Sequence, residues 1–230
     1  MLRICLGVRA ATTTLRVFLW AAALATLAAS LFLVIETARY LSFDPFYAFL
    51  VERPVLTSDR VWRACFYVHI AGGLACLLSA PLLLWNGIRN GSTRLHRAAG
   101  RVHAVAALGW LGPTGFYLAC FAKGGLAGQT GFMVLATLFY LSTVLGVRAI
   151  QRGHRRAHVV WMIRSYALIL SAVSFRILYP LLHALGSTVQ SSYVASTWAG
   201  LAVSIVAGEL ACGHIAPTKN AATVLPGVNP

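Results

Sequence analysis

The sequence predicts an all-α fold, an integral membrane bundle of six transmembrane helices that forms one domain over residues 1–230. Two properties of the composition predict it: 59% of the residues are hydrophobic and only 10% are charged, with a mean hydropathy of +0.75. A soluble domain typically has about 25% charged residues. The third observation is the order of the chain, in which long apolar segments alternate with short polar or arginine-rich ones.

Six apolar segments are long enough to be read as membrane-crossing helices. The first, about 14–40, is too long for the apolar part of a cleaved signal peptide. An outer loop, 42–61, follows it, and the core bundle then covers about 60–213. The core helices are predicted from Trp62 to Trp85, from Leu95 or Ala98 to Phe121, from Gly131 to Val147, from about 157 to 182, and from Tyr193 to Cys212. The polar tail 214–230 is predicted to be disordered.

The distribution of basic residues predicts the orientation of these helices. The segments assigned to the inner side contain twelve lysines and arginines, and those assigned to the outer side contain four. Because positive charge is retained in cytoplasmic loops, we expect both termini in the cytoplasm and the protein in the cytoplasmic membrane. The same rule accounts for the net charge of +14, so we expect the lipid bilayer and not nucleic acid as the partner.

Charged residues inside apolar helices are the first candidate functional residues, because they are costly in a bilayer. The fifth helix contains Arg164 and Arg176, and acids occur at Glu36 in the first helix and Glu209 in the last. Matching by depth predicts that Arg164 pairs with Glu209 and that Arg176 pairs with Glu36, which would neutralise both arginines.

Histidines at two depths are the second group of candidates, since imidazoles on facing helices can hold a b-type haem. In the cytoplasmic half, His103 and His158 are predicted as axial ligands of the haem iron, and His96 competes for either place. In the outer half, His69 could face His183. On the third helix, one stripe at helical spacing contains His96, Gly100, His103, Ala107, Trp110 and Thr114. The alternative interpretation is that the histidines cap helices or lie at the interface, and that the small residues only serve packing.

The chain resembles a family of bacterial predicted membrane proteins known as domain of unknown function 2306. The resemblance rests on an ordered set of short pieces: HIAGG (69–73), SAP (79–81), LHRAAGR (95–101), GFMVLA (131–136), HVVWMIRSYAL (158–168) and RILYPLL (176–182). It implies a multi-helix membrane protein and draws attention to His69, His96, His158 and Arg176, but it implies no activity. A looser similarity at the level of the fold is to two-haem bundles of the cytochrome-b type, and no motif supports it.

Three functions are compatible with these residues. The first is electron transfer linked to b-type haem or to quinone, with cofactor contacts from the four histidines His69, His96, His103 and His158 and from Arg164 and Arg176. The second is a small transporter or proton-coupled carrier in which intramembrane charges line a polar path. The third is a non-catalytic subunit that binds a membrane-protein partner or a second copy of itself. No catalytic residue is predicted, because the sequence has no recognisable nucleophile–base arrangement or phosphate-binding loop.

Overall fold

The computed structural model describes residues 13–44, 47–88 and 92–213, and these residues form helices, turns and short connections without a β-strand. The prediction of an all-α fold is therefore confirmed. The predicted tail 214–230 lies outside the described residues. The α-helices are α1 (Thr13–Ala38), α2 (Pro54–Ser58), α3 (Arg60–Ile88), α4 (Thr93–Val105), α5 (Gly112–Ala119), α6 (Gly125–Gln151), α7 (Arg155–Ile169), α8 (Ser171–Ala184) and α9 (Val189–Gly213).

Five helical segments of the described chain are long and apolar enough to cross a membrane. They are Leu24–Ser42, Arg60–Gly87, Gly125–Gln151, Arg155–Ala184 and Val189–Gly213. The fourth of them joins α7 and α8, which meet at Leu170. The segment predicted as the third helix is not among these five, so the predicted count of six crossings is not established by length and composition.

That third segment is helical throughout but changes its type in the middle. Its backbone is α-helical in α4, forms a π-helix over Ala106–Leu111, and is α-helical again in α5. A π-helix contains one more residue per hydrogen-bonded turn than an α-helix, and such turns are frequent at functional sites. We call Ala106–Leu111 the π segment.

The helices run back and forth between two ends of the bundle, which differ in composition. We call one the basic end, because α6 finishes and α7 begins there at four arginines, Arg148, Arg152, Arg155 and Arg156. The opposite end is the aromatic end, where two short 3₁₀-helices, Arg39–Ser42 and Ala48–Leu50, lie beside α2 and the start of α3. Leu50, Trp62, Phe66 and Ile70 form a buried cluster at the aromatic end.

Helix α3 is the centre of one half of the bundle and packs against α1, α4, the π segment and α5. In the other half, α9 packs against α6, α7 and α8. A second buried cluster joins the halves and includes Cys76, Ala107, Phe139 and Leu201.

Helix α3 and the π segment approach each other closely at Gly72. A Cβ atom added there would lie 2.8 Å from the backbone nitrogen of Leu111, inside the π segment. Such a contact is too short for a methyl group, so α3 and the π segment can only cross at this distance because residue 72 has no side chain.

Candidate histidine site

His103 lies on α4, one turn before the π segment, and is only 2% exposed. Its Nδ1 atom is 2.9 Å from the hydroxyl oxygen of Ser79 on α3. Because the Ser79 hydroxyl donates its proton to the carbonyl of Ala75 at 2.6 Å, its oxygen accepts the Nδ1–H of His103. The Nε2 atom of His103 then carries a lone pair, and it is buried without a hydrogen-bond partner among the described residues. A polar atom in this state is a candidate for binding a ligand.

His158, in the first turn of α7, is held in a similar way. Its Nδ1 atom lies 2.8 Å from the carbonyl oxygen of Gly146 on α6. A carbonyl can only accept, so Nδ1–H donates and Nε2 carries the lone pair. Histidines that bind metals are oriented by the same kind of bond from the other ring nitrogen to a backbone carbonyl. His158 therefore presents a nitrogen that is ready to coordinate.

His96 is the neighbour of His158 at the basic end. Both imidazoles are half-buried, and they lie close enough to interact electrostatically. Each follows the start of its helix by three residues, since α4 begins at Thr93 and α7 at Arg155. At 1.5 Å per residue both lie about 4.5 Å from the helix start, whereas His103 lies about 15 Å from it. Two imidazoles at one depth are thus contributed by His96 and His158.

This arrangement differs from the predicted pairing of His103 with His158 at equal depth. The sequence assigns each residue only to the cytoplasmic or to the outer half of the bilayer. Because each half is thick enough to contain two layers of side chains, two histidines of one half can still lie at different depths. His103 lies in the deeper layer, against Ser79 of α3, and His96 lies in the same layer as His158. No group of three or more His, Cys, Asp or Glu side chains is placed to hold a metal ion in the chain as far as it is described.

His69, the candidate in the outer half, contacts the C-terminal side of the π segment. Its Nδ1 atom is 3.2 Å from the hydroxyl oxygen of Thr114, and the ring also hydrogen-bonds the backbone of Leu111. A π-helix changes the carbonyl pairing of the adjacent turns, and the imidazole of His69 bonds to the backbone at that place. His183, its suggested partner, is exposed and bonds to the carbonyl of Ser187 through Nδ1 at 3.1 Å. The two histidines thus have separate partners.

Arg164 and Glu209 form a bidentate ion pair between α7 and α9. The Nε atom of Arg164 is 2.6 Å from Oε1 of Glu209, and its Nη2 atom is 2.9 Å from Oε2. The guanidinium also lies over the ring of Trp161, 4.6 Å from the ring centre. The pair is on the outer surface of the bundle, because 31% of the Arg164 side chain and 51% of the Glu209 side chain are exposed.

The structure does not show an ion pair between Arg176 and Glu36, which depth matching predicted. Glu36 forms its ion pair with Arg39, 3.3 Å away on the same helical face. Arg176 is half-buried and donates to the carbonyl of Ala172 at 3.2 Å, with Tyr40 and Glu36 as electrostatic neighbours. A partner three residues along one helix is always within reach, so the local acid–base pair competes with a pair that must span two helices.

The sequence did not single out the residues that orient these side chains. Ser79 holds His103, Gly146 holds His158, and a buried bond of 2.7 Å between Thr143 and Ser165 joins α6 to α7. A serine in an apolar helix often bonds only to its own backbone, as Ser79 also does, so its residue type did not reveal the second partner. A backbone carbonyl such as that of Gly146 leaves no signal in a sequence at all.

The described helices define a multi-pass α-helical membrane protein that places His96 and His158 at its basic end and His103 in a deeper layer. The chain belongs to the family described as "Predicted membrane protein (DUF2306)", whose sequence pattern matches residues 66–212. The resemblance found in the sequence is therefore confirmed. No curated protein and no solved structure matches the chain. The similarity of its fold to two-haem bundles of the cytochrome-b type therefore stays a prediction.

Proposed function

We propose that the protein is an electron-transfer protein that binds b-type haem at its basic end. The observation that supports this proposal best is the fixed orientation of His158 and His103, whose Nδ1 atoms both donate to protein oxygens. In this tautomer Nε2 keeps its lone pair, which a haem iron requires from an axial histidine. The buried Nε2 of His103 has no other partner among the described residues.

His158 is the first axial ligand in this proposal. His96 is the second, because it lies near His158 and at the same depth, and His103 is the alternative second ligand. Bound haem would supply one-electron transfer. The chain itself orients the imidazoles through Gly146 and Ser79, and its exposed arginines at the basic end suit the carboxylates of haem. Arg97 directly follows His96 in the sequence, and Arg155 precedes His158 by one helical turn.

The proposed setting is the cytoplasmic membrane, with six crossings and with the basic end and both termini in the cytoplasm. The excess of arginines at the basic end supports this orientation. The third crossing is supported by residues 102–119, which are helical and contain no Asp, Glu, Lys or Arg. At 1.5 Å per residue they span about 27 Å, close to the thickness of the hydrocarbon core of about 30 Å.

The experiment that tests the proposal is an absorption spectrum of the purified protein, recorded after oxidation and again after reduction with dithionite. We expect a Soret band, and sharp α and β bands after reduction. His158→Ala should abolish these bands, and either His96→Ala or His103→Ala should abolish them too, which identifies the second ligand.

The matched control is His154→Ala. His154 precedes His158 by one turn and is exposed at the start of α7, so its loss should leave the spectrum unchanged. A colourless protein from cells with sufficient haem would overturn the proposal. In that case the hypothesis of a small transporter or proton-coupled carrier takes its place, with the buried imidazole of His103 as the candidate proton-binding group.

A further inference from the structure

A small cavity lies at the aromatic end, where the two 3₁₀-helices and α2 meet the start of α3. Its volume is about 180 Å³, and it is lined by Phe43, Leu50, Thr57, Arg63 and Tyr67. Leu50 and Thr57 are buried, whereas Phe43 and Arg63 are exposed, so the cavity is not sealed. Sites for drug-sized molecules usually have about 300–1,000 Å³. The cavity therefore suits a small group, and its lining combines apolar surface with one positive charge.

Arg63 supplies this charge, and most of its hydrogen-bond donors are unused. Its Nη1 atom donates to the carbonyl oxygen of Thr57 at 3.1 Å. A guanidinium has five N–H donors in a rigid fork, so this bond orients the group and leaves other donors available. Asp59, one turn earlier in the chain, accepts the backbone N–H groups of Val61 and Trp62 instead. Within the described ranges, Arg63 therefore has no ion-pair partner.

Tyr67 adds a second donor to the lining, one turn further along the same face of α3. It follows Arg63 by four residues, and its hydroxyl has no hydrogen-bond partner in the described part of the chain. The ring of Phe43 lies against it, with the ring centres 4.7 Å apart. The backbone of Phe43 is left-handed, with φ 56° and ψ 19°. Strained residues of this kind are frequent at sites that hold a ligand.

The depth of Arg63 indicates which anion it meets. The span Arg60–Gly87 has 28 residues. At 1.5 Å per residue it is about 42 Å long, the thickness of a bilayer together with its headgroups. Because the hydrocarbon core takes about 30 Å of this length, about 6 Å at each end of a centred helix lies among the headgroups. Arg63 lies about 4.5 Å from the start of α3 and so at the level of the lipid phosphates.

We propose that this cavity binds the phosphate group of one membrane phospholipid. The unused donors of Arg63 and the hydroxyl of Tyr67 bind the phosphate oxygens, since a guanidinium fork matches two of them at once. Phe43 and Leu50 provide apolar surface for the glycerol carbons next to the phosphate. A lipid is favoured over a soluble anion because of this apolar lining and the depth of the site. The site is separate from the histidines and does not depend on bound haem.

The experiment is native mass spectrometry of the full-length protein in mild detergent, titrated with phosphatidylglycerol. We expect one tightly bound lipid in the unchanged protein and binding about tenfold weaker in Arg63→Gln, because a charge-assisted hydrogen bond is lost. The matched control is Arg60→Gln. Arg60 is also exposed and lies in the same turn of α3, but it does not line the cavity, so its loss should leave the first lipid bound.

Tyr67→Phe provides a second test that keeps the ring against Phe43 and removes only the hydroxyl. We expect binding about threefold to tenfold weaker, and this variant decides the matter if Arg63→Gln does not fold. Unchanged binding in the variants of Arg63 and Tyr67 would overturn the proposal. Equal losses in Arg60→Gln and Arg63→Gln would also overturn it, because binding would then follow general surface charge. A large excess of inorganic phosphate should leave the lipid in place, and its displacement would rule out the lipid as the specific ligand.

Discussion

The two ends of the bundle are stabilised by different kinds of contact. At the aromatic end, the rings of Trp62 and Phe66 stack at 5.3 Å, and Tyr40 meets Phe66 edge to face at 5.4 Å. Towards the basic end, the imidazoles are each held by a single hydrogen bond, from His103 to Ser79 and from His158 to the backbone of α6. Ring packing acts over a broad area, whereas each hydrogen bond fixes one atom.

This difference separates contacts that mainly stabilise the fold from contacts that mainly fix the position of a side chain. Burial of large rings contributes a large part of the packing free energy and tolerates small shifts. A hydrogen bond to an imidazole contributes less to the free energy of unfolding, but it selects one tautomer and one orientation of the ring. We therefore expect substitutions at the aromatic end to affect stability most, and those at the basic end to affect the histidines most.

The largest effect is expected for Phe66→Ala at the aromatic end. Phe66 is 8% exposed and contacts Tyr40, Trp62 and Tyr67, so its loss leaves a cavity in the cluster. We expect the free energy of unfolding to fall by about 3–5 kcal/mol, measured by titration with SDS in mixed micelles. Val61→Ala is the control, because Val61 is exposed, and it should change the value by less than about 0.5 kcal/mol. Equal effects of the two substitutions would contradict the importance of the aromatic cluster.

A somewhat smaller effect is expected for Gly72→Ala, between the two ends. The added methyl group would lie 2.8 Å from the backbone nitrogen of Leu111 and 3.1 Å from Cβ of Trp110, so α3 and the π segment must separate. The expected loss is about 1–3 kcal/mol in the same titration.

The neighbouring Gly73 offers a matched control for this prediction. Its added Cβ atom meets nothing closer than the Cδ1 atom of Leu111 at 3.8 Å, an ordinary contact. Gly73→Ala should therefore be neutral, or stabilising by up to about 1 kcal/mol, because alanine favours the helix. If Gly72→Ala were as well tolerated as Gly73→Ala, the close crossing described above would be incorrect.

Ser79→Ala tests the basic end directly. It removes the acceptor of the Nδ1–H of His103 inside the bundle, and we expect a loss of about 1–2 kcal/mol in the free energy of unfolding. Ser79→Thr keeps the hydroxyl and should recover most of this loss. The decisive measurement is the ¹⁵N NMR spectrum of labelled histidine, in which only the serine-to-alanine variant should change the tautomer signal of His103.

The smallest effect is expected for the bond between Thr143 and Ser165. Side-chain hydrogen bonds between membrane helices average about 0.6 kcal/mol and reach about 1.7 kcal/mol. Because both residues are buried and their oxygens are 2.7 Å apart, we expect Ser165→Ala to cost about 1 kcal/mol. A double-mutant cycle with Thr143→Val measures the coupling between the two side chains, and a coupling of zero would show that each bonds only to its own helix.

The sequence predicted the helical segments and the joining of Arg164 to Glu209 better than it predicted the environment of the histidines. An arginine and an acid in apolar helices are rare, so few pairings had to be considered. The stripe predicted on the third helix illustrates what failed. His103 and Ala107 are buried as the stripe requires, but Trp110 is 46% exposed. The Cβ atom of Trp110 nevertheless lies against α3, 3.1 Å from where a Cβ atom of Gly72 would be. A helical period places Cβ atoms on one face, but it does not determine where a ring as large as that of Trp110 extends.

The π segment also gives the third helix one place at which its length can change without turning its two ends. A π turn accommodates one residue more than an α-helical turn, so deletion of one residue within Ala106–Leu111 would convert it into regular α-helix and leave α4 and α5 facing α3 as before. His103 would remain beside Ser79 and Thr114 beside His69, and only the local crossing with Gly72 would change. Length variation by one residue in related chains is therefore expected within this segment and not in α4 or α5.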